Sequence, residues 1–238
     1  MTAQPNAIAE TADFEFAALN EAKNYRAALL RDFQPHLRGN VLEVGAGIGQ
    51  ITAELRRLPE IQRLVAIEPD AGFCTQLRAR LPRQELVEGT ISDLRSETDW
   101  NAILSINVLE HIETDEQELA AYHTLLKSSR GALCLFVPAR PEIYAPIDGD
   151  FGHFRRYTRS ELRQKLTQAR FEPVCLRYYN FVGYFAWWLN FCVFKKRSFD
   201  ITSVRLFDRA IFPVVHGLES RICPPPFGQS LLAIAQAK

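Results

Sequence analysis

Three glycines stand on alternate positions, Gly45, Gly47 and Gly49, directly after the apolar run 41–44. A glycine tolerates a left-handed backbone and, having no Cβ atom, lets a ligand approach the main chain closely. The residues from Gln50 onward follow a helical pattern, so the first N–H groups of that helix point back at the turn. The spacing therefore predicts a strand, a tight turn and a helix that bind a ligand through backbone N–H groups. A plain structural turn is the alternative, because such a glycine pattern alone has low specificity.

A carboxylate follows the second apolar run in a position suited to binding a sugar. Glu68 comes directly after residues 63–67, and it lies 23 positions beyond Gly45. In a βαβ unit the end of the second strand lies beside the first turn, and an acid about 20 residues on accepts hydrogen bonds from ribose hydroxyls. The alternative is that Glu68 is only a carboxylate at a helix N-terminus, where the helix dipole favours it.

A second group of polar side chains lies in the long connector 138–157, which follows the apolar run 132–137. Guanidinium groups pair with anionic or polyhydroxylated ligands, and an imidazole exchanges protons near neutral pH. The alternative for the two arginines of this connector is that they are solvated or form structural ion pairs. We expect the groups that bind a second substrate to be Tyr144, His153, Arg155, Arg156 and Tyr157.

The elements that must position these groups alternate along the chain. Thr114 and Thr158 each begin a pattern typical of a capping box, so a helix is expected after each. Strand and helix alternation of this kind predicts an open parallel sheet with helices on both faces. Strands are predicted at 41–44, 63–67, 85–89, 100–107 and 132–137, and helices at 50–58, 73–81 and from Thr114 to about Arg130.

The two ends of the chain extend this core. A loose arm is predicted at 1–12, and one or two amphipathic helices over 14–37. After the connector, we predict a sixth strand at 171–181 and a last strand at 230–235. Between them, Phe207, Ile211, Val214, Leu218 and Ile222 form a helical stripe, with Pro213 as a candidate kink.

The segment 181–194 has only Gly183 and Asn190 outside the apolar set, and the basic residues 195–197 follow it. As a helix it would be apolar all round, so it must be buried or lie against an apolar partner. Fourteen residues span about 21 Å as a helix, which is too short to cross a bilayer. Three interpretations stay open: a buried lid or homodimer contact, a pocket for a hydrophobic acceptor, and peripheral membrane contact through 181–197.

Composition excludes several classes of protein. With 28 basic and 28 acidic side chains the net charge is +0, so we expect no nucleic acid partner. The five cysteines are scattered and form no C-x-x-C pair, which favours reduced thiols in a cytoplasmic protein over a disulfide framework or a zinc site. We expect no metal site, no signal peptide and no transmembrane helix. The length of 238 residues suits one sizeable domain.

The order of three blocks resembles class I S-adenosylmethionine-dependent methyltransferases. These blocks are Val-Leu-Glu-Val-Gly-Ala-Gly-Ile-Gly at 41–49, Ile-Glu-Pro-Asp at 67–70 and Asn-Val-Leu-Glu-His-Ile at 107–112. The resemblance covers about residues 20–138. Dinucleotide-binding enzymes more often carry G-x-G-x-x-G, whereas here the third glycine comes two residues after the second, which favours the methyltransferase interpretation.

The resemblance implies a role in cofactor binding for individual residues. Glu43 and the backbone of Gly45, Ala46, Gly47 and Gly49 would hold the methionine part of S-adenosylmethionine. Glu68 would bind the ribose hydroxyls and Pro69 would pack near the adenine. Thr90 departs from the acid that the family often has there, so adenine recognition would depend on the backbone of Ile91 and on Ser92 or Asp93. Asn107 and Val108 would meet the methionine amino group, and Tyr25 would lid the cofactor.

Methyl transfer from a sulfonium is an in-line displacement, in which the protein mainly aligns the reacting atoms. A hydroxyl acceptor benefits from a general base. His111 is the first candidate for that base and His153 the second, although His111 could instead orient Glu110 or be structural. The block Gly-His-x-Arg-Arg-Tyr at 152–157 resembles one in bacterial methyltransferases, some of which accompany glycan and lipid-sugar pathways.

The expected fold is α/β: a Rossmann-like, doubly wound, mostly parallel seven-stranded sheet with an antiparallel last strand and a helical cap. We expect a single domain over 1–238, with a helical lid at 14–40, a cofactor-binding core at 41–138, an acceptor-side loop at 139–160 and a helical insertion at 181–229. The expected function is methylation of an oxygen or nitrogen on a small or lipid-linked acceptor. The alternatives are a nicotinamide-dependent oxidoreductase and a catalytically silent, membrane-associated scaffold that binds the cofactor.

Overall fold

The computed structural model describes residues 21–94, 99–221 and 225–238. The arm predicted at 1–12 and the beginning of the helix predicted at Phe14 lie outside these ranges. So does Ile222, the last member of the predicted apolar stripe.

The chain builds a seven-stranded sheet with the order β3-β2-β1-β4-β5-β7-β6, and its last strand is antiparallel. The first five strands pair in parallel wherever they are neighbours. This confirms the predicted fold class. The strands are β1 Gly39–Val44, β2 Ile61–Glu68, β3 Glu85–Glu88, β4 Ala102–Ile106, β5 Ala132–Pro138, β6 Phe171–Tyr179 and β7 Ser230–Ala237.

The register of the central strands brings their carboxyl ends to one edge of the sheet. Val44, the last residue of β1, lies opposite Ile67 of β2 and Ser105 of β4. The glycine turn therefore leaves the sheet next to Glu68, which pairs with Glu88 of β3. Ligands of open α/β sheets bind at this edge, so the register positions the predicted site.

Helices follow most strands, as the alternation predicts. The α-helices are α1 Lys23–Phe33, α2 Gln50–Leu55, α3 Ala71–Arg80, α4 Asp115–Leu126, α5 Pro146–Asp150, α6 Arg159–Gln168, α7 Phe181–Trp187, α8 Ile201–Leu206 and α9 Phe212–Arg221. A π-helical turn at Trp188–Val193 extends α7, and another at Phe207–Ile211 joins α8 to α9.

Some predicted helix ends are wrong. Helix α2 ends at Leu55, three residues before the predicted end, and the chain then turns. The Thr114 side chain does not cap α4; only its carbonyl accepts the N–H groups of Gln117 and Glu118, at 3.0 and 3.3 Å. The same helix ends at Leu126 and not near Arg130 as predicted. The chain turns there, and the N–H of Gly131 donates to the Leu126 carbonyl at 2.9 Å.

The chain divides into two compact units. The sheet unit comprises Asp32–Val137, Ser160–Leu176 and Leu232–Lys238, so it contains β1 to β4 and most of β5, β6 and β7. The helical unit comprises Met1–Arg31, Pro138–Arg159 and Arg177–Leu231, of which the structure describes the ranges given above. A single domain with the predicted internal boundaries stays a prediction.

The core of the sheet unit lies on both faces of the central strands. Every residue of β5 is buried, as is the carboxyl half of β1 and of β2. Strands covered on both faces are near-continuous apolar runs, which is the pattern that the sequence shows here. The helical unit has a separate apolar cluster made of Ile143, Ala145, Ile147, Trp187 and Phe191.

The helical segment from α8 to α9 differs from a simple amphipathic helix. Its π-helical turn ends at Ile211, two residues before Pro213, which lacks the N–H that a regular helix would use there. The predicted stripe is not the buried side: Ile211, Val214 and Leu218 are exposed, whereas Phe212 is buried. None of the described helices is long and apolar enough to span a membrane.

Candidate functional site

The glycine turn of the sheet unit adopts the conformation that its residue types permit. Gly45, Gly47 and Gly49 have φ angles of 73°, 54° and 78°, in the left-handed region that other residues rarely enter. The N–H groups of Gly45 and Ala46 both donate to the Ile67 carbonyl, at 2.9 and 3.0 Å. A Cβ atom on Gly45 would lie 2.3 Å from Cγ2 of Val108. The turn is therefore fixed against the end of β2 and passes close to Val108.

Glu68 lies inside this turn. Its Oε2 accepts the N–H of Gly47 at 2.7 Å, and its Oε1 accepts the N–H of Asp70 at 3.0 Å. Burial raises the pKa of Glu68, and these two hydrogen bonds oppose that rise. Two bonds leave further lone-pair directions on the carboxylate for hydroxyl donors. The residue that caps helix α3 is Asp70, whose Oδ1 accepts the N–H of Phe73 at 2.8 Å, so the helix-terminus alternative for Glu68 is not what the structure shows.

Glu43 lies on β1 and is buried, with 3% of its surface exposed. Burial raises the pKa of this carboxyl to about 8, against hydrogen bonding from Thr52, and the nearby charge of Glu68 adds to the rise. Its Oε2 has no hydrogen-bond partner among the described residues. A buried carboxylate oxygen without a partner is costly, so this atom can accept a hydrogen-bond donor or a cation of a ligand.

The end of β3 carries the residues predicted to contact adenine. Gly89 donates its N–H to the carbonyl of Glu68 at 2.9 Å, which connects this loop to the end of β2. The N–H and hydroxyl of Thr90 both donate to Oδ2 of Asp93, at 2.9 and 3.1 Å, and Ile91 is buried. These bonds between Thr90 and Asp93 were not predicted, although a Thr three residues before an acid is typical of a capping box.

The end of β4 holds the third block. Asn107 has a φ angle of 52°, and its N–H donates to the Phe136 carbonyl at 2.8 Å. A 3₁₀ turn at Leu109–His111 follows, in which the His111 N–H donates to the Val108 carbonyl at 2.9 Å. His111 is half-buried, whereas Glu110 is fully buried.

The sheet unit therefore brings most of the predicted cofactor residues to the carboxyl ends of β1 to β4. Gly47 of the turn donates its N–H to Glu68, and the charge of Glu68 acts on Glu43. Val108 lies close to Gly45. Pro69 is exposed directly after Glu68. Backbone N–H groups and two carboxyl groups at one edge of the sheet can together hold a ligand that has both a cationic group and sugar hydroxyls.

In the helical unit, Asp148 organises the acceptor-side loop. Its Oδ1 accepts Nδ1 of His153 at 3.0 Å and Nε of Arg156 at 2.9 Å, and its Oδ2 accepts the N–H of Ala145 at 2.8 Å. Burial would raise the pKa of Asp148, but the hydrogen bond from His153 and the charge of Arg156 outweigh it and hold the pKa below its usual range. The sequence marked Asp148 only as one polar residue of a long connector.

Arg156 is held inside the helical unit. Besides Asp148, its Nη1 donates to the Ala139 carbonyl at 3.2 Å, and its guanidinium lies 4.3 Å from the centre of the Trp187 ring. Only 3% of its surface is exposed. This geometry favours the structural ion pair, the alternative considered for Arg156. Arg155, by contrast, is half-buried, with its guanidinium 5.9 Å from the Phe154 ring centre.

The two predicted tyrosines of this loop differ in exposure. Tyr157 is fully buried, and its N–H and carbonyl bond to Pro138 and Arg140, both at 2.9 Å. Tyr144 is exposed, and its hydroxyl donates to the carbonyl of His153 at 2.7 Å. Tyr144 and His153 are thus brought together by a direct bond, whereas the position of Tyr157 favours a structural role.

Tyr25 packs within the helical unit. Its N–H donates to Oδ1 of Asp208 at 2.8 Å, and its ring meets Tyr179 and Phe212 with centres 5.5 and 4.9 Å away. Burial raises the pKa of its hydroxyl above the usual range. The lid role over a cofactor stays a prediction for Tyr25.

The family model of a methyltransferase domain matches residues 41–129. No curated protein sequence matches the chain.

Several solved structures are similar in fold. A methyltransferase in complex with the Trm112 activator from Haloferax volcanii is 16% identical, with a TM-score of 0.64 and 99% of both chains covered. A methyltransferase from Bacillus halodurans is 19% identical, with a TM-score of 0.60 over 89% of this chain and 98% of that one. DhpI in complex with SAH is 15% identical, with a TM-score of 0.61 over 98% and 93%. At these identities the likeness is one of fold.

Proposed function

We propose that the chain is a class I S-adenosylmethionine-dependent methyltransferase and that it methylates an oxygen or nitrogen of a small-molecule or lipid/sugar-linked acceptor, since a methyltransferase family model matches residues 41–129 and a structure of similar fold is a complex with SAH. The observation that carries the assignment of the cofactor site is the pair of buried carboxylates beside the glycine turn. Glu43 has a buried oxygen without a partner among the described residues, and Glu68 has lone pairs to spare. These groups fit the ammonium and the ribose of S-adenosylmethionine.

When bound, the cofactor would supply a methyl group on a sulfonium; the acceptor forms a bond to the methyl carbon as the bond to sulfur breaks, and S-adenosylhomocysteine leaves. Glu43 and the backbone of Gly45, Ala46, Gly47 and Gly49 bind the methionine end, together with Asn107 and Val108. Glu68 binds the ribose, and Pro69, Thr90, Ile91 and Ser92 enclose the adenine. Since the backbone hydrogen bonds of Gly45, Ala46 and Asn107 fix the positions of this site, the contribution of these residues is to hold the reacting atoms in line.

The acceptor proton is taken up by a histidine if the acceptor is a hydroxyl. His111 is the first candidate and His153 the second. Asp148 accepts from Nδ1 of His153, so the proton of a neutral ring lies on Nδ1 and Nε2 is the basic nitrogen. An amine acceptor needs no such base, because it has only to be deprotonated before attack.

The acceptor contacts come from the exposed Tyr144 and the half-buried Arg155, with the buried Arg156 and Tyr157 as structural support. A hydroxyl and a guanidinium bind sugar and phosphate oxygens well, which supports a glycan or lipid-linked sugar. We place the protein in the cytoplasm with peripheral membrane contact through 181–197. A homodimer through the same segment is the competing use of that surface.

A transfer assay tests this function. The protein is incubated with methyl-labelled S-adenosylmethionine and, in turn, with the water-soluble and lipid-extractable fractions of a bacterial extract. We expect label in the lipid-extractable fraction, and reduced label with His111→Ala or His153→Ala at unchanged cofactor affinity. Cofactor binding without transfer to either fraction would instead point to the silent scaffold.

A further inference from the structure

Helix α7 and its π-helical extension expose one apolar side. Five large side chains of this segment have between 44% and 61% of their surface exposed, where a water-soluble face would carry polar groups. We name this set the Trp188 face; its members are Phe185, Trp188, Leu189, Val193 and Phe194.

The opposite side of the same segment is firmly anchored. Trp187 and Phe191 are buried in the apolar cluster with Ile143, and Nε1 of Trp187 donates to the Ile143 carbonyl at 3.1 Å. At the start of the segment, Oδ1 of Asn180 accepts the N–H of Gly183 at 3.0 Å. These contacts fix the rotation of the helix, so the Trp188 face is presented outward by the packing of the helical unit.

A cluster of positive charge adjoins this face. Lys195, Lys196 and Arg197 follow Phe194 directly, and all three are exposed. Nζ of Lys196 donates to Oδ1 of Asn190 at 2.8 Å, and Arg197 pairs with Asp150. The cluster is therefore held at the C-terminal end of the apolar face.

Exposed apolar residues are concentrated here. Nine of the twelve large apolar side chains that are exposed among the described residues lie between residues 185 and 218. The other members of this region lie on the segment from α8 to α9, which extends the same unit: Leu206, Ile211, Val214 and Leu218. A concentration of this kind marks an interaction surface.

We propose that the Trp188 face and the basic residues 195–197 dock onto an anionic lipid surface. Tryptophan and phenylalanine beside lysine and arginine suit the boundary between acyl chains and anionic headgroups. A second copy of this face would offer only the same apolar and basic residues, whereas anionic headgroups complement the positive charge of residues 195–197. The charge pattern therefore favours a membrane over a second copy as the occupant.

Vesicle flotation tests the proposal with the full chain. We expect binding to vesicles that contain phosphatidylglycerol, weaker binding to phosphatidylcholine alone, and loss of the difference at high salt. Trp188→Ser combined with Phe194→Ser should lower the partition coefficient at least about tenfold. Replacing Lys195 and Lys196 by Gln should lower it by roughly fivefold per lysine on anionic vesicles only.

A matched control keeps the test specific. Val174 is 62% exposed on β6 of the sheet unit, so Val174→Ser removes exposed apolar surface elsewhere and should leave flotation unchanged. Circular dichroism and S-adenosylhomocysteine binding show that each variant is folded, independently of the lipid result. Equal binding by the wild type and the double variant would overturn the proposal. A dimer in sedimentation experiments that Trp188→Ser dissociates, without vesicle binding, would also overturn it.

Discussion

At the scale of single residues, the account depends on two buried carboxylates. Glu68 was identified from the spacing between a glycine turn and a strand end, because that spacing fixes which residues a βαβ unit brings together. The state of Glu43 could not be read from the sequence. Burial in the folded protein raises the pKa of Glu43, and its Oε2 has no hydrogen-bond partner in the described part of the chain. Both properties depend on residues that are distant in the sequence.

Glu43 makes stability depend on pH. Its pKa rises from 4.5 to about 8 in the folded chain, so between these pH values the folded state retains a proton that the unfolded state has lost. Stability conferred by this group therefore falls as the pH rises through that window. We expect the thermal unfolding midpoint of Glu43→Gln to fall less steeply with rising pH than that of the wild type. Parallel curves for the two proteins would contradict the assignment.

The same group should couple cofactor binding to proton release. A ligand ammonium beside Glu43 lowers the pKa of that carboxyl, so binding of S-adenosylhomocysteine expels its proton below pH about 8. Calorimetry in two buffers of different ionisation enthalpy measures that proton. We expect release by the wild type and much less by Glu43→Gln; equal release would show that another group is responsible.

Asp148 is expected to act through His153. Without the carboxylate charge, the pKa of the His153 imidazolium should fall, and the acid limb of the pH–rate profile of Asp148→Asn should move down by roughly one pH unit. The turnover rate should fall at least about tenfold. Asp150→Asn, two residues away and paired with Arg197, is the control and should keep the wild-type profile. An unshifted limb in Asp148→Asn would leave His111 as the base.

At the scale of elements, strand positions were predictable and helix ends were not. Strand β5, most of β4 and the carboxyl halves of β1 and β2 are buried, and residue type predicted their positions to within two residues; β3, which has no buried residue, was predicted as closely. Helix α4 ends where the Gly131 N–H donates to the Leu126 carbonyl, a bond that the residue types alone do not predict. The Thr114 side chain does not cap this helix, and its backbone has φ −99° and ψ 54°. The exposure of Phe194 and Val214 was equally unpredictable, because apolar residues normally indicate burial.

The glycine turn gives a prediction about stability. A Cβ atom on Gly45 would meet a left-handed backbone and a contact of 2.3 Å with Val108. We expect Gly45→Ala to lower the free energy of unfolding by about 2 kcal/mol or more. Gly217→Ala in α9 is the control, since no described atom outside the neighbouring helical backbone lies within 4 Å of its added Cβ, and it should raise that free energy by about 0.5–1 kcal/mol. Equal effects of both substitutions, measured by urea denaturation, would contradict this view of the turn.

At the scale of the whole molecule, the sequence was sufficient for the fold, and the methyltransferase family model matches residues 41–129, which contain the three motif blocks. The order of the strands and the three motif blocks agree with the seven-stranded sheet that the structure shows. The acceptor-side loop was only partly predictable. Arg155 and Arg156 are identical in type and adjacent in sequence, yet one is half-buried beside Phe154 and the other is sealed against Asp148 and Trp187.

The two units carry different groups of residues. The sheet unit carries the carboxylates and the glycine turn, and the helical unit carries the acceptor-side loop and the Trp188 face. We propose that the first binds the cofactor while the second selects the acceptor and the membrane. Cofactor affinity should therefore be insensitive to Trp188→Ser, and vesicle binding insensitive to Glu68→Ala.

Titration of the purified chain with S-adenosylhomocysteine, and separately with NADH, tests the central claim most directly. The account predicts that S-adenosylhomocysteine binds and NADH does not, and that Glu68→Ala weakens S-adenosylhomocysteine at least about tenfold, on the scale of a lost hydrogen bond to a charged group. Binding of NADH in place of S-adenosylhomocysteine, or wild-type affinity in Glu68→Ala, would contradict it.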